Sequence, residues 1–281
     1  MITLRAYAKI NLGLRILGKR SDGYHDIETI LHRIDCYDEL SFTKSETISL
    51  ESDSPEVPPG EENLCIRAAR LFISHTGAKD GAHIVLRKKI PVGAGLGGGS
   101  SDAAETLLGL NELWGLGMKP DELHPLAAQL GSDVSYFLRE GSAYATGRGE
   151  RLEYFGLKLP HWIVVLYPNI HVSTAWAYQQ VKVERSDHTE ILRDNFADNL
   201  RDAEKLRELI RNDFEPVVFR AHPELAKIKR TFYEHGAHFA QMSGSGSSMY
   251  ALFESEEGAR SVCEEMRGQG KLFLTRPGLS L

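Results

Sequence analysis

From residue 2 to residue 16 every even position is apolar: Ile2, Leu4, Ala6, Ala8, Ile10, Leu12, Leu14 and Ile16. A period of two predicts a long strand with one buried face, and it puts Lys9 and Asn11 together on the opposite face. The polar, proline-bearing stretch SPEVPPGEE (54–62) reads as a surface loop before the helical pattern NLCIRAARLF. Residues 84–90 read as a second strand. The chain then runs PVGAGLGGGSSDAAETLLGLNELW, where Ala103, Ala104, Leu107, Leu108 and Trp114 recur at helical spacing behind two candidate N-cap residues, Ser100 and Ser101. Residues 121–130 predict another helix, ended by Gly131.

The texture changes near residue 158. Beyond it, strand-like WIVVLYP, helix-like DAEKLRELIRNDF and ELAKIKRTFYEHG, strand-like SMYALF and helix-like EGARSVCEEMRGQ alternate, with no internal repeat. Two α+β domains are therefore expected, over 1–157 and 158–281. With 281 residues, 42% hydrophobic and 26% charged, the chain is long enough for two cores.

Charge and cysteine usage narrow the class of function. Lysine and arginine total 33 against 39 acidic residues, and a net charge of −6 gives no general attraction for nucleic acid. Cys36, Cys65 and Cys263 form no C-x-x-C pair, and no histidine ladder that would hold zinc stands near them, so reduced thiols and no protein-bound metal are expected. With neither a membrane-length apolar run nor a signal peptide, a cytoplasmic location is expected.

The chemistry concentrates in the glycine-rich run. Five glycines, 93, 95, 97, 98 and 99, let backbone amides close on a ligand, and the following helix adds the positive end of its dipole. Phosphate suits such a site. A dinucleotide fingerprint, Gly93, Gly95 and Gly98, lacks the acidic residue that should follow, and a P-loop fails because Ser100 stands where lysine is needed.

The run PVGAGLGGGSSDAA resembles the central phosphate-binding motif of the GHMP kinases, and AYAKINLGLRILGKRSDGYHDI and MSGSGSSMYALF resemble that superfamily's other two motifs. Within the superfamily, AKINLGL, the DGYH element, ENLCIRAARL, GSDVSYF and SGSGSSMYALF occur in the order of the branch that phosphorylates a cytidine diphosphate derivative of methylerythritol in isoprenoid precursor synthesis. The resemblance implies a two-domain GHMP kinase fold, with an N-terminal domain like domain 2 of ribosomal protein S5 and a ferredoxin-like C-terminal domain. It also implies ATP as phosphoryl donor, with Mg2+. A GHMP kinase acting on homoserine or mevalonate, or a catalytically silent nucleotide-binding protein, are the alternatives.

Carried residue by residue, the resemblance makes Lys9 and Asp133 the catalytic pair. On sequence alone Lys9 reads equally as a solvated lysine and Asp133 as a helix cap. ATP is expected along Pro91, Val92, Gly93, Ala94, Gly95, Leu96, Gly97, Gly98, Gly99, Ser100 and Ser101, with Ser100 or Ser101 reaching a phosphate or magnesium. Asn63 and Lys88 fall on the adenine side, although Asn63 reads also as a cap. For the substrate the resemblance implies Asn11, Tyr24, His25, Thr174 and Tyr178. An aromatic ring to stack on cytosine and a polar neighbour for its edge explain why Tyr24 and His25 are adjacent. Tyr178 stands where the family often has phenylalanine and would form the second wall.

Overall fold

The computed structural model describes residues 1–181 and 191–278; the last residues of the expected C-terminal domain, 279–281, lie outside them. The described chain divides into two compact units that do not follow chain order. One comprises Met1–Ala8, Cys36–Val92 and Gly97–Glu140, the other Lys9–Asp35, Gly93–Leu96 and Gly141–Leu281. The reason is strand length: β1 (Ile2–Lys19) and β2 (His25–Ser45) each run from one unit into the other.

In the first unit the second half of β2 pairs antiparallel with β4 (Gly81–Arg87), Glu39 opposite Arg87, and β3 (Ser49–Ser52) lies parallel to β4 on its other edge. Helices α1 (Leu64–Thr76), α2 (Gly98–Leu113) and α3 (Pro120–Leu130) complete it. Gly109 shows how closely α2 lies on the sheet, since a Cβ there would enter the ring of Phe42. α1 starts at Asn63, whose side chain accepts from Cys65 N, and ends at Gly77 with φ +70°.

Two expectations shift here. The strand expected over 84–90 stops at Arg87, because the amides of Lys89 and Ile90 donate to Asp38 Oδ1 (2.6 and 2.9 Å) rather than to a neighbouring strand. The helix expected behind Ser100 and Ser101 begins earlier. Gly97, with φ +71°, takes the N-cap position, and both serines lie in the helix.

In the second unit the first half of β2 pairs with β5 (Ser142–Gly147), and β5 with β6 (Arg151–Phe155). A separate antiparallel sheet has the order β10-β7-β9-β8, from β7 (Trp162–Tyr167), β8 (Phe239–Met242), β9 (Met249–Phe253) and β10 (Lys271–Thr275). Its helices are α4 (Thr174–Gln180), α5 (Leu192–Asp198), α6 (Ala203–Leu209), α7 (Glu215–Ala221), α8 (Pro223–Glu234) and α9 (Glu256–Glu265). Leu225, Ile228 and Phe232 of α8 and Ala259 and Val262 of α9 share one core with Val164, Leu166 and Ala251 of the sheet, a helix layer on a sheet layer.

The helix expected over 202–214 stops at Leu209, and α7 begins only at Glu215. Between them, Leu14 N donates to Arg211 O (2.8 Å) and Asp213 N to Leu14 O (3.0 Å), so the backbone joins β1 instead of continuing its own helix. Asn212 secures the break, donating from Nδ2 to Met242 O and Gly244 O (2.7 and 2.8 Å) and accepting from Phe214 N.

Candidate active site

Lys9 does not sit on a solvated face. From Ala8 to Ile16 both faces of β1 are buried, and Lys9 and Asn11 are each 4% exposed. Buried polar groups need partners, and these have them. Lys9 Nζ donates to Asn11 Oδ1 (2.7 Å), Asn11 Nδ2 donates to Thr29 Oγ1 (3.0 Å), and Thr29 Oγ1 donates to Gly13 O (2.6 Å). The relay fixes the ammonium against β1 through a side chain that is itself anchored.

Residues Gly93–Leu96 belong to the same unit, and three links join them to β1 and to the turn over 243–248. Lys9 N donates to Leu96 O (2.9 Å), Ser243 Oγ donates to Gly95 O (2.9 Å), and Ser248 N donates to Ala94 O (3.1 Å). Gly95 has φ +79°, and a Cβ on it would stand 2.5 Å from Ser243 O. Glycine is required there both for its torsion and for the close approach. The serine-glycine turn near the C-terminus thus clamps the first half of the glycine run, and Ser243 ties it to the strand that carries Lys9, accepting from Asn11 N (3.3 Å). Pro91 is buried, while Val92 and Gly93 are exposed beside it.

In the other unit, Gly97 turns the chain into α2. The amides of Gly98, Gly99 and Ser100 stand at the helix start, where no intrahelical acceptor exists, and the first turn carries no acidic residue to oppose an anion. Of the two serines, Ser101 is fully buried and Ser100 partly exposed, so Ser100 is the hydroxyl open to a ligand. Asp133 lies partly exposed between Gly131, which ends α3, and the short 3-10 turn Ser135–Leu138. Val134, not Asp133, takes the N-cap position of that turn.

Lys88 and Asn63 are committed to structure. Lys88 Nζ donates to Asp38 Oδ2 (2.5 Å) and Asp102 Oδ2 (2.8 Å), with all three side chains buried. Burial acts to lower the lysine pKa, but the two carboxylates outweigh it and the net shift is upward. Two acids sharing one base leave one negative charge in excess; burial is the main reason Asp102 is pushed up to about 7, with Lys88 opposing and Asp38 adding. Asn63 spends its carbonyl on the α1 cap and its amide on Pro58 O (3.0 Å).

The aromatic residues are grouped differently from the expected pair of walls. The ring of His25 lies on that of Tyr178 (centroids 4.9 Å, 16° between planes), and Phe214 meets Tyr178 edge-on at 4.8 Å. Tyr24 is 56% exposed, with the Arg148 guanidinium 4.6 Å above its ring. Burial, with help from the Lys19 charge, lowers the pKa of His25. Thr174 Oγ1 lies 2.8 Å from Ser245 Oγ, which joins α4 to the 243–248 turn.

The model of the GHMP kinases N terminal domain matches residues 63–141, and that of the GHMP kinases C terminal matches 192–272. A 4-diphosphocytidyl-2-C-methyl-D-erythritol kinase from Chlorobium luteolum is 44% identical over 100% of this chain and 98% of its own length. The chain belongs to the 4-diphosphocytidyl-2-C-methyl-D-erythritol kinase family. A kinase of the same name from Prosthecochloris aestuarii is 45% identical over 94% of this chain and 93% of its own. Among solved structures, a 4-(cytidine 5'-diphospho)-2C-methyl-D-erythritol kinase superposes with a TM-score of 0.84 at 35% identity, covering 99% of this chain and 100% of that one. The Methanococcus jannaschii mevalonate kinase, at 17% identity and a TM-score of 0.75 over 98% of each chain, shares the fold. Among the described residues no helix is long and apolar enough to cross a membrane.

Several residues that anchor the candidate site residues were not singled out from the sequence. Thr29 and Gln241 each secure β1, Gln241 Oε1 accepting from Gly13 N (2.9 Å), and Asp38 and Asp102 hold Lys88. Only the short spacing of Asp102 to the glycine run marked any of them.

Proposed function

We propose that this enzyme transfers the γ-phosphoryl group of ATP to the 2-hydroxyl of 4-diphosphocytidyl-2-C-methyl-D-erythritol. Family membership over the whole chain supports the reaction. The observation that carries its chemistry is the buried Lys9 ammonium, held by Asn11 on a strand bonded through its own amide to Leu96 of the glycine run. Phosphoryl transfer asks the protein for positioning and for charge compensation more than for covalent chemistry.

In this reading Asp133 accepts the proton of the substrate hydroxyl, while Lys9 stabilises charge on the transferring group. The amides from Gly93 to Ser100 receive the nucleotide's phosphates. Magnesium bound with the nucleotide would supply neutralisation of the phosphate charge, and the Ser100 hydroxyl is the protein oxygen that would hold it. Asn63 and Lys88 act on the adenine side by holding α1 and α2 in place. Tyr24, His25 and Tyr178 receive the cytosine. A base against Tyr178 takes the face that His25 covers, so His25 turns from stacking to hydrogen bonding the base edge.

A coupled assay of ATP consumption tests this with the cytidine substrate, homoserine and mevalonate. Turnover is expected with the cytidine substrate alone, and Asp133→Asn should lower kcat by roughly 10²–10⁴-fold with the KM for ATP unchanged. A preference for homoserine or mevalonate, or near wild-type turnover by the variant, would overturn it.

A further inference from the structure

Away from the glycine run, the ends of three strands bring together two histidines and a glutamate. His161 precedes β7, His238 precedes β8 and Glu254 follows β9. The β7–β9 register, Trp162 opposite Phe253, sets His161 across from Glu254, and His238 N donates to Leu252 O (2.8 Å) at the same end of the sheet. One nitrogen of each imidazole and a carboxylate oxygen of Glu254 all lie within 4.8 Å of one another.

The hydrogen bonds leave a cation-shaped gap in this group. His238 Nε2 lies 3.1 Å from Leu200 O, which only accepts, so Nε2 carries the proton. Its Nδ1 then faces Glu254 Oε1 at 3.2 Å. A lone pair against a carboxylate needs either a second proton or a cation between them. His161 decides which: it is 3% exposed, and its Nδ1 has no hydrogen-bond partner. A proton shared by His238 and Glu254 leaves that nitrogen unsatisfied in a buried position, which is unfavourable. A cation bound among them takes a lone pair from one nitrogen of each imidazole and from a Glu254 carboxylate oxygen.

We propose that His161, His238 and Glu254 form a binding site for a divalent transition-metal ion, zinc being the best match, which staples the ends of β7, β8 and β9. Two imidazoles and one carboxylate are borderline donors suited to zinc and poorly suited to magnesium or calcium. The Nε2–H bond to Leu200 is the second contact that a metal-bound histidine usually makes, fixing tautomer and ring. Ligands at about 2.0–2.2 Å from one ion must draw closer than the present spacing. Glu254, whose side chain is 74% exposed, is free to swing in and leaves an entry path. Three protein ligands leave a fourth position for water.

The test uses the full chain, stripped with a chelator and kept free of nucleotide, titrated with Zn2+ against a chromophoric chelator and separately with Co2+. About one equivalent of zinc per chain is expected, with a rise in melting temperature and visible d–d bands from the cobalt form. Glu254→Gln, at an exposed position that leaves the fold intact, should weaken zinc by roughly tenfold or more and abolish the bands, and His161→Asn should do the same. No stoichiometric zinc, or zinc bound equally by both variants, would overturn the assignment.

Discussion

Gly95→Ala puts the clamp on the glycine run under direct strain. Gly95 has φ +79°, and a Cβ there would stand 2.5 Å from Ser243 O and 2.9 Å from Gly246 O. A left-handed torsion costs an alanine about 1–2 kcal/mol. Because the opposing atoms are backbone, relief requires the 243–248 turn to retreat, which stretches the bonds from Ser243 Oγ to Gly95 O and from Ser248 N to Ala94 O. At about 1 kcal/mol each, these bring the loss to roughly 3–4 kcal/mol. For a chain of this size that is a fall in melting temperature of about 6–15 °C. Gly99→Ala is the control. Its Cβ would meet only Leu64 Cδ1 at 3.6 Å, its φ lies outside the left-handed region, and in the first turn of α2 alanine should leave stability unchanged or raise it by up to about 1 kcal/mol. Circular dichroism melts of the two variants beside wild type decide the matter. Equal melting temperatures for Gly95→Ala and Gly99→Ala would refute the clamp.

Two further outcomes are expected. Asp102, pushed up to about 7 chiefly by burial, keeps a proton in the folded state that the unfolded chain, with its carboxyl near 3.8, releases earlier. Stability should therefore fall as pH rises from about 4 to 7 and level off above, and Asp102→Asn should flatten that slope in urea titrations; an unchanged slope would sink the account of the Lys88 triad. Tyr178→Leu removes the ring that His25 covers, and the KM for the cytidine substrate should rise by the equivalent of roughly 1–3 kcal/mol while that for ATP stays level. Equal rises in both constants would count against a base-stacking role.

What could be read from the chain alone was local. The alternation over 2–16 became β1, the glycines and helical spacing became the run into α2, and Asn63 became the α1 cap, because periodicity and capping act between residues a few positions apart. Motif order also identified the family. The alternation did not reveal that the second face of β1 is buried, which turned Lys9 from a candidate surface lysine into an anchored ammonium. Nor could helical spacing show that the bonds of Leu14 to 211–213, and of Asn212 to Met242, would end the helix expected over 202–214 at Leu209. Lys88 became the centre of a buried triad only when Asp38 and Asp102 met it, and His161, His238 and Glu254 became neighbours only through strand register. Each of these depends on residues far apart in the chain, whose meeting is set by the packing of whole strands and helices and leaves no trace in the spacing of the residues themselves.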